Sequence, residues 1–285
     1  MKSNCYISVL LLLLTSFFSC NNKKTPAPEE QKDTLKLISF NIRYDNPLDG
    51  EHRWENRRDA CARMIDTYLP DAFGVQEALV NQLEELDLLL PDYTWVGEGR
   101  NPGMESNEHT AIFFRKNKFM LTGSNTFWLS ETPDTISRGW DARYNRTATW
   151  VKLYNQETGK EFVFMNTHLD HKGQIARSES TKLIVEKLRA ISGDSIPVFV
   201  AGDFNALPSD TLFIPLKKWL KDTRMEIAPA DSTQTTNGWG NEPPHKVIDY
   251  LFFQGANPLG YKVITENFGV PYISDHYPIE GIYIY

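Results

Sequence analysis

Six times along this chain, a short apolar run carries a polar, chemically capable residue at or beside its end. That recurrence constrains the fold more than any other feature of the sequence. Leu37-Ile38-Ser39-Phe40 runs into Asn41, Phe73-Gly74-Val75-Gln76 into Glu77, and Phe164-Met165-Asn166-Thr167 into His168. Val198-Phe199-Val200-Ala201-Gly202 leads to Asp203 and Asn205, Asp249 lies within Val247-Ile248-Asp249-Tyr250-Leu251, and Asp275-His276 precede the last run. Short runs rich in β-branched and aromatic residues read as strands. Strand ends with convergent polar groups are where sheets with flanking helices build their sites.

The rest of the pattern agrees. Strand-like runs fall at 35–40, 72–75, 94–96, 111–114, 119–128, 147–153, 162–166, 197–201, 247–253, 261–265 and 279–285. Helical runs fall at 54–69, 79–90, 175–191 and 211–220. Many strands with a few interspersed helices predict a mixed α/β or α+β domain over 35–285. Two long polar connections, 97–109 and 129–146, are expected as surface loops near a site. No repeat, low-complexity tract or second linker interrupts that span.

The side-chain types point to a chemistry. Carboxylates with an amide oxygen are hard ligands, suited to Mg²⁺ or Mn²⁺. No Cys/His cluster has zinc spacing, and there is no Walker loop, Gly-x-Ser-x-Gly elbow or Gly-x-Gly-x-x-Gly. Two histidines in polar motifs, each with an Asp available, suit proton transfer. Singly, each piece has a structural reading: Asp203-Phe204-Asn205 as an Asx turn, Asn41 as a loop cap, His168 as a core histidine. Asp249 inside an apolar run is harder to dismiss, because a buried carboxylate needs a partner. The combination outweighs these separate readings.

Composition bounds the partners. Thirty basic against 37 acidic residues give a net charge of -7, which argues against an open, non-specific grip on nucleic acid. Three cysteines in 285 residues are too few for a disulfide framework. The first of these, Cys5, lies in a segment in which Lys2 precedes the apolar run 6–14, too short to span a bilayer, so residues 1–19 read as a signal peptide. Its Ser19-Cys20 end resembles the lipobox of bacterial lipoproteins, with Phe17 where Leu is usual. That resemblance makes Cys20 the lipidated mature N-terminus and 20–34, with Pro26 and Pro28, a polar tether. The expected location is extracytoplasmic, membrane-anchored at the periplasm or cell surface of a bacterium. Cys61, among Ala60, Met64 and Ile65, is expected as a buried structural thiol.

Taken together, Ser39-Phe40-Asn41, Gln76-Glu77, Asn166-Thr167-His168, Gly202-Asp203-Phe204-Asn205, Ile248-Asp249-Tyr250 and Ser274-Asp275-His276 resemble the endonuclease/exonuclease/phosphatase superfamily. That group includes pancreatic-type deoxyribonuclease, apurinic endonucleases, neutral sphingomyelinases, inositol polyphosphate 5-phosphatases and nocturnin-like deadenylases. The resemblance implies a four-layer α/β sandwich, with two mixed β-sheets packed face to face and helices outside. It implies one or two divalent cations, Mg²⁺ or Mn²⁺, and a monomer that hydrolyses phosphate esters.

Carried over by motif, Glu77 is the principal metal ligand, Asn41 supports the metal or phosphate, and Asp275 completes the metal shell. Asp203 orients or deprotonates the attacking water, Asn205 holds a phosphoryl oxygen, and Asp249 pairs with His276, which contacts the phosphate. His168 faces the phosphate or leaving group. Arg146 matches a family arginine near the phosphate, and its alternative is a solvated loop charge. Arg177 points into the cleft or out from its helix, and these two stay open. Trp54 and Arg57 are expected to hold the first helix against the core.

The stretches 127–133 and 139–141, with His168-Leu169-Asp170-His171, resemble a bacterial and fungal branch nearer the nocturnin and deadenylase side. Three functions follow in order. The first is a phosphodiesterase or phosphatase on small or lipid-linked phosphoesters. The second is an extracytoplasmic nuclease acting on DNA or RNA. The third is a catalytically inactive binding protein on the same scaffold. Trp128, Trp140 and Trp239 either stack bases or sugars or pack their loops, with packing favoured for Trp128.

Overall fold

A strand that is apolar at every position, rather than at every second one, must be covered on both faces. The central runs at 72–75, 162–166 and 197–201 come close to this, and their strands are buried nearly throughout. The computed structural model describes residue 1 and residues 34–101, 107–193, 195–241 and 246–285. The expected leader, Cys20 and the tether up to residue 33 lie outside the described residues.

Among the described residues the runs become twelve strands in two six-stranded sheets. The first sheet holds β1 (Thr34–Asn41), β2 (Ala72–Ala78), β3 (Tyr93–Val96), β4 (His109–Arg115), β11 (Asn257–Val263) and β12 (Ile279–Ile284), in the order β11-β12-β1-β2-β4-β3. The second holds β5 (Phe119–Trp128), β6 (Thr147–Asn155), β7 (Glu161–His168), β8 (Val198–Asp203), β9 (Lys221–Asp222) and β10 (Asp249–Gln254), in the order β5-β6-β7-β8-β10-β9. Each sheet is antiparallel except for one parallel central pair, β1 with β2 and β7 with β8.

Three apolar clusters separate the layers. Alternate residues of the central strands, Leu35 and Leu37 with Ile112, Phe162, Phe164, Phe199 and Leu251, pack between the sheets. The intervening residues Ile38, Phe40, Phe73 and Val75 face outward onto α1 (Trp54–Tyr68) and α2 (Val80–Leu89), through Cys61, Met64, Ile65, Leu83 and Leu86. On the other side Val163, Met165, Val198 and Val200 meet α3 (Gln174–Ser192) and α4 (Phe213–Lys217), through Ile184, Leu188, Phe213 and Leu216. The result is the expected four-layer sandwich, helix on sheet on sheet on helix.

Element ends have local causes. α1 stops at Leu69, in the left-handed conformation (φ 49°), before Pro70. α3 ends on Gly193 (φ 58°), and Asp141 caps its start by accepting from Ala176 N at 2.7 Å. The stretch Gly139-Trp140-Asp141 is therefore a clamp fixing loop 129–146 to α3. A side chain at Gly139 would stand 2.3 Å from the Leu129 carbonyl.

The helix expected at 211–220 is corrected to the five residues of α4. Pro215 lacks an N–H and fits only a first turn, so no longer helix can form through it. The strand expected at 261–265 lies earlier, at β11, and a short α5 (Thr223–Glu226) follows β9. No helix among the described residues is long and apolar enough to cross a membrane.

Candidate active site

The register of the second sheet assembles half of the site. Asp203, the last residue of β8, sits opposite His168 of parallel β7 and opposite Asp249 of antiparallel β10. Three residues far apart in sequence thus stand side by side. Gly202 allows this approach, since a side chain there would lie 2.3 Å from the Thr167 carbonyl. Asn205 takes the left-handed conformation (φ 48°), which Asn tolerates, and its N–H donates to Asp203 Oδ1 at 2.8 Å. The Asx turn therefore forms, and it is the device that turns the Asn205 amide toward His168 Nε2 at 3.1 Å.

The first sheet supplies the other half. Pairing of β2 with β4 slips between Val75 and Ala78, and within this bulge Glu77 has φ 63°. A bulge re-aims a side chain, and here it turns Glu77 into the cleft. Asn41 at the end of β1 donates from Nδ2 to Glu77 Oε1 at 3.2 Å and to Asp203 Oδ2 at 3.1 Å. One amide thus ties a carboxylate of each sheet. Its own Oδ1 accepts from Arg43 N at 3.0 Å. For the expected role of Asn41 this is a difference: the amide nitrogen, not the oxygen, faces the carboxylates, so it positions them.

The surroundings of the two histidines push their pKa values in opposite directions. His276 Nδ1 donates to Asp249 Oδ2 at 2.9 Å, and its Nε2 lies 3.9 Å from Asp203 Oδ2. Burial works against its charge, but the Asp249 carboxylate, by field and hydrogen bond, then Asp203, raise its pKa well above the ordinary value. His168 lies 3.6 Å from the same Asp203 oxygen. Burial, then the positive fields of Arg146 and Arg100, push it well below the ordinary value. Asp203 itself is raised to about 7 by burial and by Asp249, against the pull of His276.

Arg146 is not a solvated loop charge. It is buried, with Nε 3.5 Å from Asp170 Oδ2 and Nη2 3.2 Å from His171 Nδ1. Burial opposes the Asp170 charge, but the N–H groups of Gly173, Arg143 and Lys172, then Arg146, hold its pKa below the usual carboxylate range. Arg146, His168, Asp203, Asn205, His276 and Glu77 all line one cleft of about 470 Å³. Asn41 and Asp249 stand behind it. Arg177 donates to the Asp170 carbonyl at 2.8 Å and lines a separate groove. Trp128 is buried, its Nε1 donating to the Arg100 carbonyl at 3.0 Å, as the packing reading expects.

Three residues of the site escape sequence reasoning. Arg43 forks onto Asp49 at 2.9 and 3.0 Å and lies 3.9 Å from Glu77 and 4.0 Å from Asp275. Arg100 and Glu108 form an ion pair at 2.6 Å on the cleft wall. All three sit in loops, and only the expectation that 97–109 borders a site pointed to two of them.

The donor set fits a hard divalent cation. One ligand atom each of Asp203, Asp249 and His276 lies within 4.8 Å of the other two. Glu77 and Asp275 share a positive neighbour, the Arg43 guanidinium, at 3.9 and 4.0 Å. Of these sets, the oxygen-rich one at Glu77 suits Mg²⁺-like ions better, because Asp249 Oδ2 and His276 Nδ1 are already engaged with each other.

A two-sheet sandwich with carboxylates and histidines converging from both sheets defines a class of phosphoester-hydrolysing scaffold. The chain belongs to the Endonuclease/Exonuclease/phosphatase family, whose model matches residues 38–276. A solved endonuclease/exonuclease/phosphatase from Bacteroides vulgatus is 34% identical, with a TM-score of 0.84, covering 88% of this chain and 99% of that one. A mannosyl-6-phosphatase from Bacteroides thetaiotaomicron is 33% identical, with a TM-score of 0.82, covering 88% and 100%. A CCR4-Not complex 3'-5'-exoribonuclease subunit from Emericella nidulans is 24% identical over 64% of this chain, which spans 37% of that protein's length.

Proposed function

We propose that this protein is a divalent-metal-dependent hydrolase of phosphate esters. The observation that carries the reading is Asp203, held between His168 at 3.6 Å and His276 at 3.9 Å within one cleft that also presents Arg146 and Glu77. Glu77, with Asp275, would hold Mg²⁺ or Mn²⁺, which when bound supplies charge neutralisation at the phosphoryl oxygens. Asp203 takes the proton of the attacking water. Arg146 and the Nε2–H of His276 donate where negative charge develops on the phosphoryl group, and Asn205, its amide hydrogens on His168 Nε2 and the Leu169 carbonyl, would join them by releasing one. Asp249 keeps His276 protonated and oriented, and His168 Nε2 accepts from the Asn205 amide at 3.1 Å and so positions it.

Among the substrate readings, the nuclease alternative has more support from the relatives than the small or lipid-linked one, through the exoribonuclease subunits. The bounded cleft and the mannosyl-6-phosphatase relative support a compact ester. A metal-supplemented panel of bis-p-nitrophenyl phosphate, p-nitrophenyl phosphate, DNA, RNA and sugar phosphates separates them. Asp203→Ala and His276→Ala are each expected to lower turnover at least about 10²-fold. Near wild-type turnover in either purified variant would sink the assignment.

The lipidated, extracytoplasmic reading of residues 1–34 belongs to the same proposal. Cells expressing the full chain should incorporate labelled palmitate into it, and Cys20→Ser should abolish that label. Equal labelling of both would overturn the anchor.

A further inference from the structure

One wall of the cleft has no part in the hydrolytic roles above. Arg100 is only 8% exposed, and its Nη2 donates to Glu108 Oε1 at 2.6 Å. Its Nε and Nη1 are buried without a hydrogen-bond partner. Guanidinium N–H groups removed from water without an acceptor are costly, so the side chain is held at the cleft wall at a cost, by its ion pair to Glu108. The Tyr144 ring lies against this guanidinium, 5.0 Å from its centre, and is tilted toward His171 at 5.8 Å.

Glu108 is the anomaly. A carboxylate facing a phosphate-handling cleft repels the substrate's charge. Burial, then the field of Glu77, raise its pKa to about 7, against Arg100 and Arg146. A cation at Glu108 would be forced against the Arg100 guanidinium, which already holds its oxygen. A hydroxyl group meets no such conflict, since it donates to the carboxylate and accepts from the guanidinium. An aromatic face beside that pair suits the C–H face of a saturated ring.

We propose that Arg100, Glu108 and Tyr144 form a recognition wall for a hydroxyl-bearing sugar ring attached to the phosphate in the same cleft. The substrate class is then a sugar phosphoester, and the inference rests on the phosphoester reading of the same cleft. The ring has two sources, a free sugar phosphate or the ribose of an RNA strand.

The test measures kcat/KM for the metal-loaded full chain, Glu108→Gln and Arg100→Lys. The substrates are p-nitrophenyl phosphate, a hexose 6-phosphate, and a ribodinucleotide beside its deoxy counterpart. Each variant should lose at least about 10-fold more on a hydroxylated substrate than on p-nitrophenyl phosphate. A selective loss on the hexose ester assigns a free sugar phosphate, and one on the ribodinucleotide but not its deoxy form assigns RNA ribose. Equal losses on every substrate, or none on any, overturn the wall. Should Glu108→Gln fail to fold, Glu108→Asp takes its place.

Wild-type inactivity on the whole panel would instead sink the hydrolase reading. Calorimetry then decides the wall separately, with hexose 6-phosphate against inorganic phosphate. A wild-type preference for the sugar ester of about 10-fold, lost in Arg100→Lys, upholds it. Equal affinity for the two overturns it.

Discussion

At the scale of single residues, Asp203 is the most informative. Its folded pKa, about 7, stands above its ordinary value, so its burial costs nothing in acid and destabilises the fold as pH rises through that window. In chelator, Asp203→Asn should therefore gain melting temperature relative to wild type as pH goes from about 4 to about 7. Added Mg²⁺ should shrink the difference. A difference that is flat across that range would show that the carboxyl is ionised throughout. Cys61 gives a second check. It is buried against the Ile273 carbonyl, and burial raises its pKa to about 11. Native protein should resist iodoacetamide at pH 8, and unfolding in urea should release the thiol. Rapid native alkylation would contradict the packing.

Residue legibility divides along the same line. Glu77, His168, Asp203, Asn205, Asp249 and His276 could be read because each lies in or beside an apolar run, and strand ends converge. Arg43, Arg100 and Glu108 could not, because their loops carry no periodicity that fixes where a side chain goes. The amide orientation of Asn41 was equally hidden, being set by two carboxylates from distant strands.

At the scale of elements, α1 does more than cover the first sheet. Arg57 is buried, and its guanidinium donates to the carbonyls of His52, Ile42, Ile273 and Arg43. The expectation that it holds the helix to the core is met, and two of those carbonyls belong to the loop after β1, beside Asn41. Arg57→Lys keeps the charge but loses the planar fork that reaches several carbonyls at once. It should cost at least about 2 kcal/mol in urea unfolding, from orphaned buried carbonyls. It should also lower phosphoesterase turnover without touching substrate. Stability within about 0.5 kcal/mol of wild type would show that Lys satisfies the same groups. The helix expected at 211–220 was misjudged at its start because Pro215 lacks an N–H and fits only the first turn, where it stands in α4.

At the scale of the whole molecule, the pattern of runs predicts only a mixed α/β or α+β domain, and the four-layer order rests on the family resemblance. Which strands would share a sheet was not legible, since pairing between distant segments leaves no local mark. The structure joins its two sheets through polar as well as apolar contacts. Asn166 of β7 donates to the Val75 and Ala111 carbonyls of the other sheet at 2.8 and 2.9 Å, and accepts from Gln76 Nε2 at 2.6 Å. Gly74 leaves room for it, because a side chain there would stand 2.6 Å away. Asn166→Ala should destabilise by at least about 2 kcal/mol, since it orphans several buried groups at once. An unchanged urea midpoint would show that the sheets repack or admit water.

That cross-sheet amide has a consequence for how the molecule fails. Glu77 and Asn41 ride on one sheet, and His168, Asp203 and Asp249 on the other, so a slide of one sheet along the other separates the reacting groups while each sheet stays whole. Activity thus works as a shear gauge. Under pressure or mild denaturant, turnover should fall before the far-ultraviolet circular dichroism changes, and in Asn166→Ala the gap between the two losses should widen.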